Sequence, residues 1–512
     1  MSNESAGSPA ERRRNALQFL EEMPLDVLVI GGGIVGAGVA RDAAMRGLRV
    51  GLVEQHDFAF GTSSRSSRLL HGGLRYLAQG RLGLVHEASV EKKTIHHIAP
   101  HLAEPLPFVF PTYRGNRHWV LWQLKIGVKI YDLLCGGRNL GKSTWLSQAE
   151  VLRRLPGLRP AGLKGAVCYY DGLTNDARLT IDTLRSAAAS GASVLNYCRF
   201  KGAARSQFWK CDLEDRLVDR AFEVSARAVV NATGPWAPGL PHSRVKLRLT
   251  KGVHLVVEHA RLPVTETVVM TEDMRILFAI PWGERTILGT TDTDYDGPLD
   301  ELRADATDVG YLLLVANQFF PDARLAEADV ISSWAGLRPL LADPSGTPSD
   351  ISRAHEIRNP EPGWWDVAGG KLTTYRLMGE QTVDRIVNGL KGLIGQPGKC
   401  RTAQDPLLPA TETDGVSGIL PPEFSRRAVE HYVAQEWAVD LDDVMVRRTS
   451  WHYFFRDAAA KAEQVAAWMG ELLGWTEAQQ AVALERYRQL GLNPPALRST
   501  QVAAAPTRTP KR

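Results

Sequence analysis

The amino-acid pattern predicts an α/β protein with an inserted, sheet-based α+β region and a separate helical domain at its C-terminal end. Three observations predict it. Short β-rich runs alternate with helical segments from Leu25 to about Ala410, as an α/β enzyme requires. Near the start, a glycine-rich turn links an apolar run to a helical pattern. Beyond a Pro-rich connector, Asp405-Pro406 to Pro421-Pro422, the composition shifts to Ala, Glu, Gln, Arg and Leu at helical spacing, from about Phe424 to Leu490.

Composition excludes several classes. The 512 residues are 44% hydrophobic and 23% charged, which is globular usage with room for a large core. Lys+Arg is 61 against 57 Asp+Glu, a net charge of +4 that is too small and dispersed for nucleic-acid binding. Cys135, Cys168, Cys198, Cys211 and Cys400 lie far apart with no CxxC pair, which fits a reducing compartment rather than a disulfide framework or zinc site. No run reaches the roughly 18 consecutive apolar residues of a spanning helix. Met1 to Gln18 is polar and holds Glu4 and Glu11, so neither a signal nor a transit peptide is expected. The expected location is cytoplasmic. There is no internal repeat.

Residues 1–24 read as a disordered tail, with Arg12, Arg13 and Arg14 solvated. Asp26-Val27-Leu28-Val29-Ile30 then suits a buried parallel strand. Gly31, Gly33 and Gly36 follow in G-x-G-x-x-G spacing, Ile34 to Arg46 carries a helical pattern, and a second strand, Arg49 to Val53, ends at Glu54. That completes a Rossmann-type βαβ unit. Gly31 permits the tight turn, Gly33 lets backbone approach a pyrophosphate, and Gly36 allows close helix–strand packing. The helix N-terminus offers free N–H groups to phosphate, and Glu54 offers a carboxylate to an adenosine ribose.

NAD(P) and FAD share this fingerprint, and two later segments favour FAD. Ala228 to Gly234 is a strand ending in the small turn Ala232-Thr233-Gly234, which brings backbone to the dinucleotide again. Val367 to Thr374 repeats strand, glycine turn and helix start, so its amides would face the flavin's pyrimidine edge. Three such segments suit a long cofactor. FAD is therefore the expected cofactor, held without a covalent bond.

Gly61-Thr-Ser-Ser-Arg-Ser-Ser-Arg-Leu-Leu-His71-Gly-Gly-Leu-Arg75-Tyr76-Leu77 resembles the FAD-dependent (aerobic, respiratory) glycerol-3-phosphate dehydrogenases, within the D-amino-acid-oxidase-like flavoproteins. Asn231 to Trp236, Lys251 to His254, Ile280 to Trp282, Leu288 to Asp292, Gly336 to Leu340 and Gly369 to Tyr375 continue the resemblance in order. Ala438 to Asp443 and Arg447 to Thr449 extend it into the C-terminal helices. Small departures are Val35 where a polar residue is frequent, Gly61 and Arg65 where alanines are common, and Arg68 where lysine is common. With this resemblance the parts read as follows. Residues 25–400 form the FAD-dependent oxidoreductase region, with cofactor segments at about 25–96, 165–240 and 335–400 and substrate segments at about 97–164 and 241–334. A linker spans 401–422, the helical domain 423–492, and a second disordered tail 493–512.

The resemblance implies oxidation of sn-glycerol 3-phosphate to dihydroxyacetone phosphate, with hydride passing from C2 to flavin N5. Such chemistry needs a phosphate anchor, a base for the hydroxyl proton and a placed flavin. Arg75, Arg353 and Lys371 are the anchor candidates, with Tyr76 as a neutral donor. His254, whose unperturbed pKa suits neutral-pH work, is the candidate base. Arg338 is the candidate holder of the substrate hydroxyl, or of a water acting as base in place of His254. Thr291 is a candidate substrate donor. Thr62, Ser63, Ser64, Ser67, His71, Gly72, Gly73 and Leu74 are expected to meet the cofactor, with Gly370, Lys371, Leu372 and Thr373 at its flavin end.

The resemblance also implies a membrane quinone as electron acceptor, with an oxygen-using oxidase as the alternative. A non-catalytic flavin-binding assembly or sensor protein is the reading from another class. In His118 to Leu134, Trp119, Trp122, Ile126, Ile130 and Leu133 share one helical face, which suits either an interfacial membrane helix or a helix on the protein's own core. Peripheral contact with the inner face of the membrane and a homodimer are the partner readings left open. His96, His97 and His101 lack metal-ligand spacing, so no metal is expected. Asp442-Asp443 with Arg447-Arg448 reads as an ion-pair face internal to the C-terminal helices.

Overall fold

The computed structural model describes residues 8–73, 77, 80–116, 118–136, 139–342 and 355–490. The apolar run Leu25–Ile30 lies inside an eight-stranded sheet, in parallel with Val50–Val53 on one side and Arg220–Asn231 on the other. Ser193–Leu195 and Trp364–Gly369 extend the parallel core at its two edges. His355–Glu361 and the hairpin Cys198–Arg205/Trp209–Asp215 complete it in antiparallel fashion. Strands buried on both faces need two cover layers. The helices Ile34–Met45, Asp176–Ala189 and Tyr375–Gly389 supply one, through Ala37, Ala40, Ile181, Leu184, Met378 and Val383.

The other cover overturns the expected N-terminal tail. Pro9–Glu22 is a helix: Ser8 caps it in a box with Glu11, and Pro9 stands at its first turn. Leu17 and Leu20 pack onto Leu25, Leu28 and Val53 of the sheet. Arg13 is not solvated but pairs with Asp215 at 2.7 Å.

Leu247–Glu258 is central to a second, ten-stranded sheet, paired antiparallel with Arg285–Gly289 and Val330–Leu341. Its period-2 alternation sends Val253, Leu255 and Val257 into a core with the helix Ala306–Phe319. His254 therefore faces the other way. Two of the expected cofactor segments, 165–240 and 335–400, begin on strands of this second sheet. Leu163–Leu173 pairs along its length with Glu104–Tyr113, so the chain returns to the first sheet's layer only with Asp176. Val330–Leu341 likewise belongs to the second sheet throughout.

After a packed strap in which Leu407 and Ile419 are buried, the chain forms Arg426–Gln435, Trp451–Phe454, Ala458–Leu473 and Glu477–Gln489 around their own core. The π-turn Asp443–Arg448 joins this unit to the first sheet. Arg447 does pair with Asp442 and Asp443, as expected. However, both arginines also bind Asp57, three residues past Glu54, with Arg448 donating at 2.6 and 2.8 Å. Glu436 accepts 2.6 and 2.8 Å bonds from Arg178 of the helix Asp176–Ala189. The ion-pair face is thus a bridge between units. His96 and His101 bond separately, to the Ala103 carbonyl and to Asp182.

Candidate active site

A cavity of about 440 Å³ is lined by residues of both sheets. One wall is mainly backbone. Gly31 takes φ +110°, and a Cβ there would lie 2.6 Å from the Ala232 carbonyl oxygen, so the two glycine-type turns touch. A Cβ at Gly36 would lie 1.9 Å from the Gly31 carbonyl oxygen, which makes it the packing glycine between helix and strand. Gly33 precedes the helix Ile34–Met45, whose first N–H donates to Ser63 Oγ at 3.0 Å. Glu54 accepts from the N–H groups of Gly32 at 2.8 Å and His56 at 2.9 Å, which leaves further lone pairs for ribose hydroxyls. Burial raises its pKa, and those two hydrogen bonds oppose the rise. Thr62 Oγ1 donates to the Leu337 carbonyl at 2.7 Å, tying this wall to the second sheet.

Gly370, Lys371, Leu372 and Thr373 line the same cavity, as does His71. Thr373 Oγ1 accepts from the His71 N–H at 3.1 Å and donates to its carbonyl at 3.2 Å, so the two segments are stitched together. With Ala232, Thr233 and Gly234 also on the wall, the residues fit an extended adenine dinucleotide. The Gly31–Gly33 turn and the helix N-terminus would take the pyrophosphate, Glu54 the ribose, and the 370–373 turn the flavin ring.

The second wall is made by strand register. Across the ladder between Leu247–Glu258 and Val330–Leu341, His254 stands opposite Trp334, Gly252 opposite Gly336 and Thr250 opposite Arg338. Period 2 puts all of them on one face. The Arg338 guanidinium lies across Gly252, where a Cβ would come within 2.3 Å of its Nη2. It is held by the Thr291 carbonyl at 3.2 and 3.3 Å, Thr290 Oγ1 at 3.0 Å and Asp292 Oδ1 at 3.2 Å. His254 is 2% exposed and stacks on Trp334, with ring centroids 5.1 Å apart and planes 17° from parallel. Its Nε2 lies 2.8 Å from Ser67 Oγ, while Nδ1 makes no hydrogen bond among the described residues. Burial first, then the Arg338 and Arg68 cations, push its pKa well below the ordinary histidine value. The imidazole is therefore neutral near pH 7. A neutral imidazole beside a fixed guanidinium can take a hydroxyl proton and stabilise the oxygen that loses it.

Some expected contacts fall behind the wall instead. Ser64 is buried beneath the loop, and Gly36 acts through Gly31. Gly72 gives its N–H to Tyr131 Oη and Asp171 Oδ1, in a buried group completed by Lys92, and Gly73 is also absent from the cavity lining. The Thr291 hydroxyl accepts from the Val253 N–H at 3.0 Å, so this residue braces the strand and Arg338 rather than lining the cavity. Leu74, Arg75, Tyr76 and Arg353 lie outside the described residues. The sequence reading missed Gly252, Gly336 and Trp334, although a glycine two residues before His254 or Arg338 shares that side chain's face by period 2; Gly252 makes room for the Arg338 guanidinium and Gly336 for the Arg65 backbone.

The helix Leu121–Leu134 resolves the expected apolar face into two. Trp119, just before it, is buried, whereas Trp122, Ile126, Ile130 and Leu133 are exposed. Exposed Trp145 stands beside Lys125 and Lys129, 5.3 and 5.7 Å from its ring. Among the described residues no helix is long and apolar enough to cross a membrane.

The chain is similar to known flavoproteins in both sequence and fold. A family model of FAD dependent oxidoreductases matches residues 26–385, and one for the C-terminal domain of alpha-glycerophosphate oxidase matches residues 417–480. An aerobic glycerol-3-phosphate dehydrogenase of Staphylococcus saprophyticus is 38% identical over 402 residues, 76% of this chain and 72% of that one. A Staphylococcus aureus counterpart is 38% identical over 390 residues, 74% and 70% of the two chains. The structure of the glycerol-3-phosphate dehydrogenase from Bacillus halodurans complexed with FAD superposes with a TM-score of 0.76 at 31% identity, covering 95% of this chain and 98% of that one. L-alpha-glycerophosphate oxidase from Mycoplasma pneumoniae, at 18% identity and a TM-score of 0.60 over 76% of this chain and 99% of that one, shares the fold. The chain is an FAD-dependent oxidoreductase and belongs to the glycerol-3-phosphate dehydrogenase family.

Proposed function

We propose that the protein oxidises sn-glycerol 3-phosphate at C2 to dihydroxyacetone phosphate and passes the electrons to a membrane quinone. The observation that carries this reading is the meeting of neutral His254, Arg338 and Lys371 on one cavity. Bound FAD supplies the hydride acceptor, N5. His254 takes the C2 hydroxyl proton, and Arg338, braced by Thr291 and Asp292, binds the oxygen as its charge grows. Lys371, with Arg75 and Tyr76 of the family-like motif Gly61 to Leu77 and with Arg353, anchors the phosphate and so sets which carbon faces the flavin. The names of the relatives support this substrate. The test is anaerobic mixing of the yellow protein with sn-glycerol 3-phosphate. The flavin should bleach with one dihydroxyacetone phosphate formed per FAD, and a flavin left oxidised would refute the reading.

The exposed Trp122, Ile126, Ile130, Leu133 and Trp145, flanked by Lys125 and Lys129, support peripheral docking on an anionic bilayer, at the inner face of a cytoplasmic membrane. Turnover should rise with quinone-loaded anionic vesicles, and Trp122→Ser/Ile126→Ser should lose that gain while keeping anaerobic flavin reduction. Rapid reoxidation by air with no response to quinone would favour the oxidase alternative.

A further inference from the structure

Arg68 follows Ser67, the hydroxyl partner of His254, and is 2% exposed. Its guanidinium carbon lies 4.4 Å from the Trp282 ring centroid, 5.3 Å from Trp334 and 6.0 Å from Tyr453. Nη2 donates to Ser450 Oγ at 3.0 Å, and Nε and Nη1 make no hydrogen bond among the described residues. Burying a cation with two donor nitrogens unmet is costly, and aromatic faces offset only part of that cost. A methionine would fill the same apolar cage more cheaply. The charge therefore has a task beyond packing, and its neighbours identify it: Trp334 carries the stacked His254 ring, and Ser67 bonds that ring's Nε2.

We propose that Arg68 is a positioning residue for the reaction, a fixed cation that holds the His254 ring through Trp334 and Ser67 and ties it to the C-terminal helical unit through Ser450. This rests on His254 as the proton acceptor. Among the described residues, the charged groups acting on that imidazole are Arg338 of Val330–Leu341 and Arg68. Asp292 pairs with Arg338, while Asp176, at the start of Asp176–Ala189, and Tyr453, of Trp451–Phe454, act on Arg68. A like charge disfavours the imidazolium. Arg68 thus keeps His254 in its proton-accepting form at pH values where an ordinary histidine would already be charged. It also explains a role for the helical unit, which reaches the reacting group without lining the cavity.

The experiment uses FAD-loaded wild type, Arg68→Met, Arg68→Lys, Ser450→Ala and His254→Asn. The pH profile of anaerobic flavin reduction by sn-glycerol 3-phosphate is read beside ring-¹³C histidine NMR, with His254→Asn assigning the His254 signal. Arg68→Met should move the acidic limb and the His254 titration together to higher pH. Arg68→Lys should leave both near their wild-type positions while slowing reduction, and Ser450→Ala should shift both in the Met direction by less. A limb and a titration that stay put in a folded Arg68→Met would overturn the proposal. If Arg68→Met does not fold, Arg68→Gln replaces it with the same expectations. Collapse of both neutral variants beside an active Arg68→Lys would also overturn it, since the charge would then serve the fold alone. The underlying reading fails separately, if His254→Asn retains the acidic limb, and the NMR titration then still reports whether Arg68 acts on His254.

Discussion

The two walls of the cavity are built from the same residue, glycine, for opposite purposes. In the first wall, Gly31 and Gly36 let backbone meet backbone, with Ala232 and with Gly31 itself. In the second, Gly252 leaves room for a side chain, the Arg338 guanidinium. Adding a methyl group should therefore break the fold at Gly36 and only the chemistry at Gly252.

The largest effect is expected at Gly36→Ala. Its Cβ would sit 1.9 Å from a carbonyl oxygen fixed at the end of the strand Leu25–Ile30, so relief requires the helix to leave the sheet. About 3 kcal/mol or more should be lost, and the purified protein should lack flavin absorbance. A yellow variant with wild-type thermal stability would erase the contrast.

Next comes Asp57→Ala, which tests the support of the first wall from the helical unit. It leaves Arg447 and Arg448 buried without their shared carboxylate, a loss of about 3–5 kcal/mol in denaturant unfolding at pH 7. Burial alone would raise the Asp57 pKa, but Arg448 and Arg447 outweigh it and hold the carboxyl below its usual value. Its stabilisation is thus present above the unfolded pKa of about 4 and fades as pH falls through the lower folded value. The gap between variant and wild type should narrow below about pH 4, and a constant gap would remove the ionic explanation.

Gly252→Ala sharpens the comparison from the other side. The group it meets is the tip of a long side chain, so folding and FAD content should stay near wild type. Misplacement of Arg338 by about 1 Å should slow anaerobic flavin reduction about 100-fold. Loss of FAD instead would make the walls alike. The smallest effect is expected from Lys371→Ala, because the proposed phosphate anchor also includes Arg75 and Arg353. Losing one charge-assisted contact, about 1.5 kcal/mol, should raise KM for glycerol 3-phosphate about tenfold and leave glycerol oxidation unchanged. Equal losses on both substrates would move Lys371 off the phosphate.

The walls also differ in how far the sequence discloses them. Gly31, Gly33, Gly36 and Glu54 are legible because one βαβ unit contains the whole arrangement. The helix Pro9–Glu22 is just as local, since Ser8, Pro9 and Glu11 spell its start. Its arginine run hides it, for charge reads as solvated when the partner, Asp215, is remote in sequence. His254 and Arg338 can be singled out by residue chemistry, yet their shared face follows from a ladder register that neither strand encodes alone. The same holds for Asp57, whose partner Arg447 is 390 residues away, and for Thr291, whose hydroxyl is claimed by a neighbouring strand's amide.

Single-turnover flavin reduction against pH, in wild type and His254→Asn, tests the proposed chemistry most directly. A base must be neutral to act, so the wild-type rate should fall as pH drops through the His254 pKa. Burial, Arg338 and Arg68 place that limb below the ordinary histidine range. In His254→Asn the rate should be depressed and the limb gone, whereas Arg338→Lys should slow the step and keep the limb. An unchanged limb in His254→Asn would contradict the assignment and transfer the proton to a water held by Arg338.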